Sequence, residues 1–550
     1  MKLVSLYPYF KLDNLNSFIV LAIGLFSVLT LVYSLKFIKR HLFQYYTYII
    51  LTALAAGAAV LTNNLLLLSV FWGVLGLTLY LLVNLGENDA SSVAKKTFII
   101  VGGSDVLMLL GIGIIYYLTG TFQMDRITLH HSPLSSLAYL LIAIAGFAKA
   151  GAMPFHSWIP DYAQSAPVPV VAYLPASLDK LLGIYLLARI SLDLFVMNNI
   201  MNIFLMLTGA FTIIAAVMMA IIQHNMKRLL GYHAVSQVGY MVLGIGTGNP
   251  LGIAGGIFHM LNHAIYKSGL FLTAGNVEIN TQTTDLDKLG GLARIMPVTY
   301  ISCLIASLAI SGVPPFNGFF SKWMVYQGLI EQLHNTQYLI RTTSILCLVA
   351  AMFGSALTLA SFMKLIHATF LSQRNNAMGQ KRNNEVSWTM WFPPLILAII
   401  CAIFGIFANE IPLKYFIFPA VKQVSFLGTW GSGLSTFLII AGLIFGLFVF
   451  RLKALTPVFR QDSAFTGGEV FDLPQTTVSG TEFYQTIKEF RLLQRIYKKA
   501  EEGLFDIYTL GKKIVFSISR IFQFLHNGIL PTYLVWCLLG MLGLFFVMVR

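Results

Sequence analysis

Residues 149–161 read KAGAMPFHSWIPD and residues 311–322 read SGVPPFNGFFSK, and each stretch lies inside a long apolar segment. Proline removes a helix hydrogen bond, and its ring clashes with the preceding turn. We therefore expect two membrane-crossing helices that break in mid-span, one at Pro154 and the other at Pro314 and Pro315. Broken helices at matching points of two halves indicate inverted repeats with an ion site near the membrane midplane.

The composition of the chain indicates a membrane protein. Of its 550 residues, 57% are hydrophobic and only 11% are charged, whereas soluble domains carry about 25% charged residues. The net charge of +14 comes mostly from loops and one late helix, and no basic cluster sits on a soluble module. We therefore expect lipids as neighbours and no nucleic acid. The first apolar run is already long enough to span, so no cleavable signal peptide is expected.

The apolar stretches predict an all-α polytopic fold, because a span needs about 20 mostly apolar residues. Spans are expected at residues 17–37, 45–62, 64–85, 97–118, 134–152, 168–192, 198–222, 230–247, 251–276, 296–333, 341–371, 390–409, 430–450 and 530–549, which makes fourteen. The two breaks fall five spans apart, which suits two inverted five-helix repeats. The expected divisions are an N-terminal helix at 1–44, a first repeat at 45–192, a second repeat at 198–371, two further spans at 390–450, a surface loop with a lateral helix at 451–529, and a final span at 530–550.

Loop charge predicts the orientation in the membrane. If the spans alternate, one side carries most of the basic loop residues, among them Lys36, Lys39, Arg40, Lys95, Lys96, Lys227, Arg228 and Arg451. The positive-inside rule makes that side cytoplasmic, and an even number of spans then puts both termini outside. The segment from Thr481 to about Leu525 mixes apolar and basic residues at helical spacing, which suits an amphipathic helix on the same side. It could equally cover a neighbouring subunit or serve only as an anchor.

Among the lysines inside predicted spans, four stand out: Lys149 and Lys322 beside the two breaks, and Lys180 and Lys267 elsewhere. A lysine at the bilayer centre costs roughly 2.5–3.5 kcal/mol on insertion scales, and a low-dielectric site disfavours its charged form. These lysines are therefore candidates to carry a proton. Snorkelling to the interface remains open for the two lysines beside the breaks, and a purely structural ion pair remains open for Lys180.

A polar stripe is predicted on one helix, where His259, His263 and Lys267 recur every four residues. At a rise of 1.5 Å per residue the stripe is about 12 Å long. It could relay protons through water, because histidine exchanges protons near neutral pH. Two histidines four residues apart also fit a zinc-binding face, but a third ligand and the glutamate of HExxH are missing, so no metal site is expected. A structural role for His259 alone stays open.

Two acidic residues lie well inside the predicted spans. Asp105 is the only acid deep in the fourth span, and a buried carboxylate normally has a cationic partner. We expect that partner to be Lys149, in either a static or a modulating pair. Asp179 precedes Lys180, but neighbours on a helix point about 100° apart. Asp179 is therefore expected to pair with a residue on another helix.

Four segments resemble a known family: 149–161 (KAGAMPFHSWIPD), 227–241 (KRLLGYHAVSQVGYM), 263–271 (HAIYKSGLF) and 311–322 (SGVPPFNGFFSK). In this order they resemble the antiporter-like subunits of respiratory complex I, of Mrp-type Na⁺/H⁺ antiporters, and of membrane-bound, energy-converting hydrogenases or formate hydrogenlyases. Residues 17–371 fit the family throughout. The tail, at 357–364 (LTLASFMK), 467–469 (GGE) and 481–484 (TEFY), is more similar to the hydrogenase and Mrp types.

The resemblance implies two inverted five-helix bundles, each with a broken helix, followed by a lateral helix and a final span. It also implies roles for the lysines. Lys149 resembles the pumping lysine of the first half-channel, and Lys180 resembles the lysine that links the half-channels. Lys267 matches a central lysine of the second half-channel, and Lys322 matches its exit lysine.

Two departures from the family pattern stand out. The family usually has a Trp-Glu pair in the third span, whose glutamate pairs with the first lysine, but this chain reads Phe71-Trp72-Gly73. The partner of Lys149 would then be missing, or supplied by Asp105 or another subunit. The chain also begins with a segment that resembles the one before the family's third helix. The family's first two helices are therefore expected to be absent or on a separate polypeptide.

The resemblance implies a non-catalytic, proton- or Na⁺-translocating subunit of a redox-driven respiratory or hydrogenase-type complex in a bacterial or archaeal cytoplasmic membrane. Iron–sulfur clusters, with nickel–iron or flavin, would belong to soluble partner subunits, and further antiporter-like subunits would lie alongside. No cofactor is expected in this chain, whose four cysteines are far apart and form no CxxC. Two alternatives remain: a Mrp-type secondary antiporter subunit, and a scaffold with a degraded first half-channel.

Overall fold

The computed structural model describes residues 9–86, 89–372, 384–421, 424–454, 481 and 484–549, and within these ranges the regular structure is helical. The helices are α1 (Asn14–Phe37), α2 (Leu42–Leu61), α3 (Leu65–Val83), α4 (Ala90–Thr119), α5 (Pro133–Ala150), α6 (Trp158–Ser165), α7 (Val168–Tyr173), α8 (Asp179–Arg189), α9 (Asn199–Ile221), α10 (Met226–Gly246), α11 (Pro250–Thr281), α12 (Pro297–Ser311), α13 (Asn317–Glu331), α14 (Tyr338–Ile366), α15 (Trp388–Ile406), α16 (Ser432–Ala454), α17 (Gln485–Glu489), α18 (Arg491–Glu501), α19 (Ile507–Leu525) and α20 (Leu530–Val549). The expected all-α polytopic fold is confirmed. The divisions into repeats stay predictions.

Each expected span coincides with one helix or with a broken pair of helices. Eleven helical stretches in the described ranges are long and apolar enough to cross a membrane, and one of them runs from Val168 to Leu194 through α7 and α8. The expected span at 296–333 is divided between α12 and α13, and those at 230–247 and 251–276 correspond to α10 and α11, which carry more polar residues. A helix with polar positions can lie at membrane depth when other helices surround it, because its polar groups then face protein rather than lipid.

Helices α10 and α11 form the centre of the molecule. Every residue from 251 to 277 in α11 is buried, and so is all of α10 except Arg228. Helix α11 packs against α7 and α8 on one side and against α10, α12, α13 and α15 on the others. The polar stripe of α11 therefore lies between α7 and α8, which follow the first break, and α12 and α13, which form the second.

Both expected helix breaks are present. Helix α5 ends at Ala150 and α6 begins at Trp158, while α12 ends at Ser311 and α13 begins at Asn317. A glycine with positive φ follows each ended helix, with φ 82° at Gly151 and φ 80° at Gly312. Glycine adopts this left-handed conformation without the penalty that a Cβ imposes. At Gly151 a Cβ would also lie 1.9 Å from Cδ1 of Ile159, so only glycine fits there.

The lateral segment, residues 484–525, is not the single helix that the sequence predicts. It consists of α17, α18 and α19, with a turn between α18 and α19 at residues 502–506. Gly503 in this turn has φ 80°, and its neighbour Asp506 caps α19 by accepting a hydrogen bond from the backbone N–H of Tyr508. The Gly-Gly-Glu stretch at 467–469 lies outside the described residues.

Candidate ion pathway

The four lysines that the sequence places inside spans are buried within the helix bundle. Lys149, Lys180 and Lys267 are 0% exposed, and Lys322 is 2% exposed. Snorkelling of Lys149 and Lys322 to the interface does not occur in this structure. The ion-conducting roles that the family resemblance assigns to these lysines stay predictions.

At the first break, Lys149 lies in the last turn of α5. Its Nζ is 4.0 Å from Oδ1 of Asp179, at the start of α8, and 5.3 Å from the centroid of the Trp72 ring. Asp179 thus pairs with another helix, as expected. Asp105 on α4 also acts electrostatically on Lys149, but among the described carboxylates only Asp179 comes within 4.0 Å of its Nζ. Asp179 is therefore the nearer carboxylate, not the expected Asp105.

Gly73, where the family usually has glutamate, lies on an exposed side of α3. No heavy atom comes within 4 Å of where its Cβ would stand. Its neighbour Trp72 is fully buried and faces Lys149. A side chain at position 73 therefore points away from the break.

Lys180 adjoins the same break from α8. Its Nζ lies 5.8 Å from the Trp158 ring centroid, and 3.5 Å from where a Cβ on Gly151 would stand. Asp179 acts electrostatically on both Lys149 and Lys180. The three side chains form one buried cluster with two ammonium groups and one carboxylate.

The stripe on α11 carries the row of ionisable groups into the second half of the bundle. Lys180 lies within electrostatic range of both Lys267 and His263. The ammonium of Lys267 lies between two aromatic rings, 5.8 Å from the centroid of Phe271 and 5.5 Å from that of Phe362. Neither Lys267 Nζ nor either ring nitrogen of His263 has a hydrogen-bond partner among the described protein groups.

His259 differs from His263 because protein groups hold its ring. Its Nδ1 is 2.9 Å from the hydroxyl of Ser321, and its Nε2 is 3.2 Å from Oε1 of Gln237 and 3.3 Å from the hydroxyl of Tyr266. These contacts favour the structural alternative for His259. His263 and Lys267 are the stripe members that have no such hydrogen-bond partner among the described protein groups.

At the second break, Lys322 lies in α13 and its Nζ donates a hydrogen bond of 2.9 Å to the carbonyl of Ile310 in α12. The carbonyls at a helix end have no intrahelical partner, so the break itself supplies this acceptor. The ammonium also lies 4.7 Å from the centroid of the Tyr240 ring. It has no carboxylate within 4.0 Å among the residues that the structure describes.

Sequence reasoning missed two buried groups that lie close to this row. His233 on α10 is 0% exposed, and its Nε2 is 2.7 Å from the hydroxyl of Ser361 on α14. Lys364 on α14 is 4% exposed, and its Nζ donates to the carbonyls of Ile221 and Gln223. The sequence did hold a signal for Lys364, because it also lies within a predicted span, where a lysine is costly.

Comparisons with known proteins agree with this architecture. Residues 62–347 match the family model described as NADH:quinone oxidoreductase/Mrp antiporter, TM. The chain is 33% identical over 443 residues to Na(+)/H(+) antiporter subunit A1 of Staphylococcus haemolyticus, which is 75% of this chain and 54% of that protein. The chain thus spans about half the length of the curated relatives it matches.

Two solved structures share the fold. A chain of the membrane-bound sulfane sulfur reductase, an archaeal respiratory membrane complex, superposes with a TM-score of 0.78 at 20% identity, over 97% of this chain and 89% of that one. A chain of the Mrp complex from Dietzia sp. superposes with a TM-score of 0.67 at 21% identity, over 75% of this chain and 84% of that one. With a family model that matches more than half of its residues, this chain belongs to the NADH:quinone oxidoreductase/Mrp antiporter membrane family.

Proposed function

We propose that this chain is an ion-translocating membrane subunit of a redox-driven complex, and that it moves H⁺ or Na⁺ through its buried lysines and histidines. The observation that carries the proposal is the row of buried ionisable groups from Lys149 through Asp179, Lys180 and Lys267 to Lys322, which connects the two helix breaks. A buried charge is costly, and a static fold needs none of these ammonium groups. Their presence together favours a conducting role.

The helix breaks supply what an ion needs at membrane depth. Each break leaves backbone carbonyls without helical partners, and irregular backbone at this depth is tolerated where it lines a cavity or is buried in protein. Lys149 precedes the first break, and Lys322 follows the second. Water that enters at these points would reach both ammonium groups.

Asp179 provides a means of coupling. Two unit charges 4 Å apart interact by about 4 kcal/mol at an effective dielectric constant of 20, and the Lys149–Asp179 distance is 4.0 Å. Moving one charge against 100 mV requires about 2.3 kcal/mol. Suppose that the Asp179 carboxylate moved from an ion pair with Lys149 to an ion pair with Lys180. The electrostatic energy that this shift changes exceeds the energy required to move one charge, so it would suffice to drive one proton from one lysine to the next.

The proposed surroundings follow from the structural neighbours. Both structures described above are multisubunit membrane complexes, so we propose further membrane subunits as partners, among them antiporter-like ones. Redox drive would require soluble subunits with iron–sulfur clusters and nickel–iron or flavin. We also propose a bacterial or archaeal cytoplasmic membrane, with the basic loops and the lateral segment on the cytoplasmic side and both termini outside.

A Mrp-type secondary antiporter is the second candidate, because the curated relative at 33% identity is named as a Na(+)/H(+) antiporter subunit. The redox-driven and the secondary-antiporter functions can be distinguished by purifying the complex through an affinity tag on this chain and identifying its subunits by mass spectrometry. Co-purified iron–sulfur or nickel–iron subunits support redox drive. If instead NaCl alone collapses a pre-formed pH gradient in vesicles that contain the complex, with no electron donor present, the antiporter function is supported.

Lys322→Ala in the reconstituted complex tests ion translocation itself. We expect loss of coupled H⁺ movement, followed with a pH-sensitive dye in vesicles energised by the substrate of the co-purified subunits or by a Na⁺ gradient. Lys288→Ala is the matched control, because Lys288 is 70% exposed in a loop. Unchanged H⁺ movement in the Lys322 variant would favour a scaffold and contradict the proposed function.

A further inference from the structure

A cavity of about 1430 Å³ lies between the lateral segment and the helix bundle. Part of its lining belongs to the first break, where Pro154 and His156 face it, and part belongs to the connection between α9 and α10, where Gln223 and His224 face it. The lateral segment covers the side of the cavity opposite the bundle, with residues such as Tyr497. The cavity therefore adjoins both halves of the bundle at once.

Polar contacts fix the lateral segment over the cavity. Asp506 accepts a hydrogen bond of 2.8 Å from Lys96 and one of 2.6 Å from the hydroxyl of Ser157, next to the first break. At the other side, the hydroxyl of Tyr497 donates to the carbonyl of Met218 in α9. Lys96 lies near the start of α4, at the end of that helix that the sequence assigns to the basic side, so the cavity lies on that side of the molecule.

Lys364, in the second half of the bundle, contacts the lining of this cavity through Gln223. Its Nζ donates hydrogen bonds of 2.7 Å to the carbonyl of Ile221 and 2.8 Å to the carbonyl of Gln223, and Gln223 lines the cavity. An ammonium has three N–H groups, so one remains beyond these two contacts. Asp287 acts electrostatically on Lys364 and is 2.8 Å from Nδ1 of His224, which also lines the cavity.

His233 lies within electrostatic range of both Lys364 and Lys267. Ser361 lies three residues before Lys364 on the same face of α14, and its hydroxyl is 2.7 Å from Nε2 of His233. The His233 ring and the Lys267 ammonium both contact Phe362, at 4.7 Å and 5.5 Å from its ring centroid. Nδ1 of His233 is buried without a hydrogen-bond partner among the described protein groups.

We propose that Lys364 relays protons between this cavity and Lys267, so that one vestibule beneath the lateral segment serves both halves of the bundle. The inference rests on the proposed function and adds an opening for the second half on the basic side. Nζ of Lys364 releases H⁺ to Ser361, whose own hydroxyl proton passes to Nε2 of His233. Nδ1 of His233 releases H⁺ toward Lys267, and cavity water returns H⁺ to Lys364. Each transfer moves only H⁺, and one passage leaves the His233 proton on Nε2, so rotation of the Ser361 hydroxyl and a tautomer change or ring flip of His233 must precede the next passage.

The competing explanation is a static helix cap. Ile221 is the last residue of α9, and a basic side chain near a helix C-terminus stabilises the carbonyls found there. A cap and a relay make different demands on the residue. Arginine can donate to both carbonyls, but it stays protonated in proteins and so cannot release H⁺.

Lys364→Arg therefore decides between the two explanations. In the complete reconstituted complex, we expect Lys364→Arg and Lys364→Gln both to lower the initial rate of H⁺ uptake about tenfold or more, because a positioned proton carrier typically contributes a factor of that size. A normal rate in Lys364→Arg, with a low rate in Lys364→Gln, would show a cap and overturn the relay.

Ser361 provides a second test that does not disturb the carbonyl contacts. We expect Ser361→Ala to lower the H⁺ uptake rate by a similar factor and Ser361→Thr, which keeps a hydroxyl, to retain it. Thr358→Val is the matched control, because Thr358 is a buried hydroxyl on the same helix that donates to the carbonyl of Gly354. Equal rates in Ser361→Ala and Ser361→Thr would also overturn the relay.

The Lys322→Ala variant keeps the two proposals apart. If Lys322→Ala abolishes H⁺ movement while the Lys364 and Ser361 variants conduct normally, only the relay is wrong. If Lys322→Ala itself conducts normally, the proposed function is wrong. Size-exclusion chromatography of each tagged complex shows whether a variant assembles before its rate is compared.

Discussion

At the first helix break, the ammonium of Lys149 lies 4.0 Å from the carboxylate of Asp179. At the second break, the ammonium of Lys322 meets the carbonyl of Ile310 and the face of the Tyr240 ring. A carboxylate compensates a full charge, whereas a carbonyl dipole and an aromatic face compensate only part of one. The two halves of the bundle thus stabilise a buried ammonium by different means, although their broken helices look alike in sequence.

This difference indicates that the two halves treat a buried positive charge differently. In the first half, one carboxylate serves two lysines, so its position decides which lysine keeps its charge. In the second half, Lys267 and Lys322 are surrounded by histidines, aromatic rings and backbone. Charge entering the second half is therefore expected to be transient, and charge in the first half to be held.

Asp179→Asn should have the largest effect, because it leaves two buried ammonium groups without their carboxylate. Breaking a buried pair by removing one partner costs roughly 3–5 kcal/mol. We expect a fall in the free energy of unfolding of that size, together with loss of H⁺ translocation. Thermal unfolding in detergent and the vesicle assay measure the two effects.

Asp193→Asn is the control for Asp179→Asn, since it removes a carboxylate that is 46% exposed and paired with Arg189. Such surface pairs contribute only about 0–1 kcal/mol. If Asp193→Asn lowered the free energy of unfolding and H⁺ translocation as much as Asp179→Asn does, Asp179 would have no special role. The proposed contrast, with a charge held by a carboxylate in the first half only, would then be wrong.

Lys322→Met should separate stability from activity. It removes an ammonium that lacks a carboxylate and keeps an apolar stem of similar length, so we expect the free energy of unfolding to stay the same or rise by about 1 kcal/mol. Lys149→Met should lower it, because Asp179 loses one of its two cations. Both variants should lose H⁺ translocation. The same change in melting temperature for both would contradict the comparison between the breaks.

Gly73→Glu tests whether the first half can accept the acid that the family usually has. Gly73 is exposed and its Cβ would meet no heavy atom within 4 Å, so the new carboxylate should point away from Lys149. We expect the double variant Asp179→Asn with Gly73→Glu to remain inactive in the vesicle assay. If Gly73→Glu restored H⁺ movement, the carboxylate at position 73 would have to reach Lys149. That result would show that α3 can rotate its exposed side toward the first break.

Asp506→Asn should have the smallest effect and concerns how the lateral segment is attached to the first half. Burial raises the pKa of Asp506, but hydrogen bonds from Lys96 and Ser157 outweigh it and hold the pKa below its ordinary value. The contribution of Asp506 is therefore present above pH about 3.9 and is lost as the pH falls through the lower folded-state value. A charge-assisted contact that is partly exposed should contribute about 1 kcal/mol.

Hydrogen exchange of residues 491–525 measures this attachment. We expect lower protection of these amides, relative to their intrinsic exchange rates, in Asp506→Asn at neutral pH, and in the unchanged chain only below pH about 3.9. Asp285→Asn is the control, because Asp285 pairs with the exposed Lys288 far from the lateral segment. Exchange that is equally slow in Asp506→Asn and in the unchanged chain would show that neutral contacts such as that of Tyr497 hold the segment.

Much of the membrane architecture could be predicted from local sequence. Apolar stretches of sufficient length located the spans, and Pro154, Pro314 and Pro315 located the breaks, because both effects act over a few neighbouring residues. The same local reasoning predicted one lateral helix, and Gly503 with its positive φ divides it instead. The resemblance to antiporter-like subunits was confirmed because its motifs lie within the matched region.

Ion pairs and hydrogen bonds between residues that are distant in sequence could not be predicted in this way. Asp179 and Lys149 are 30 positions apart and lie on helices that meet only after packing, so spacing alone suggested Asp105 as readily. His233 and Ser361 are separated by 128 positions, yet their side chains form one hydrogen bond. His259 looked like His263 in the stripe until packing placed Ser321 and Gln237 against its ring.

The sequence by itself determined that this is a polytopic helical protein with two interrupted spans and costly lysines at membrane depth. Hydrophobic length, proline and glycine act locally, so they need no knowledge of the partners. Only the tertiary structure decided which carboxylate compensates which lysine, which histidine is held, and that Lys364 contacts Gln223 in the lining of a large cavity. Electrostatic and hydrogen-bonding partners depend on distances of a few ångströms between helices, and only packing sets those distances.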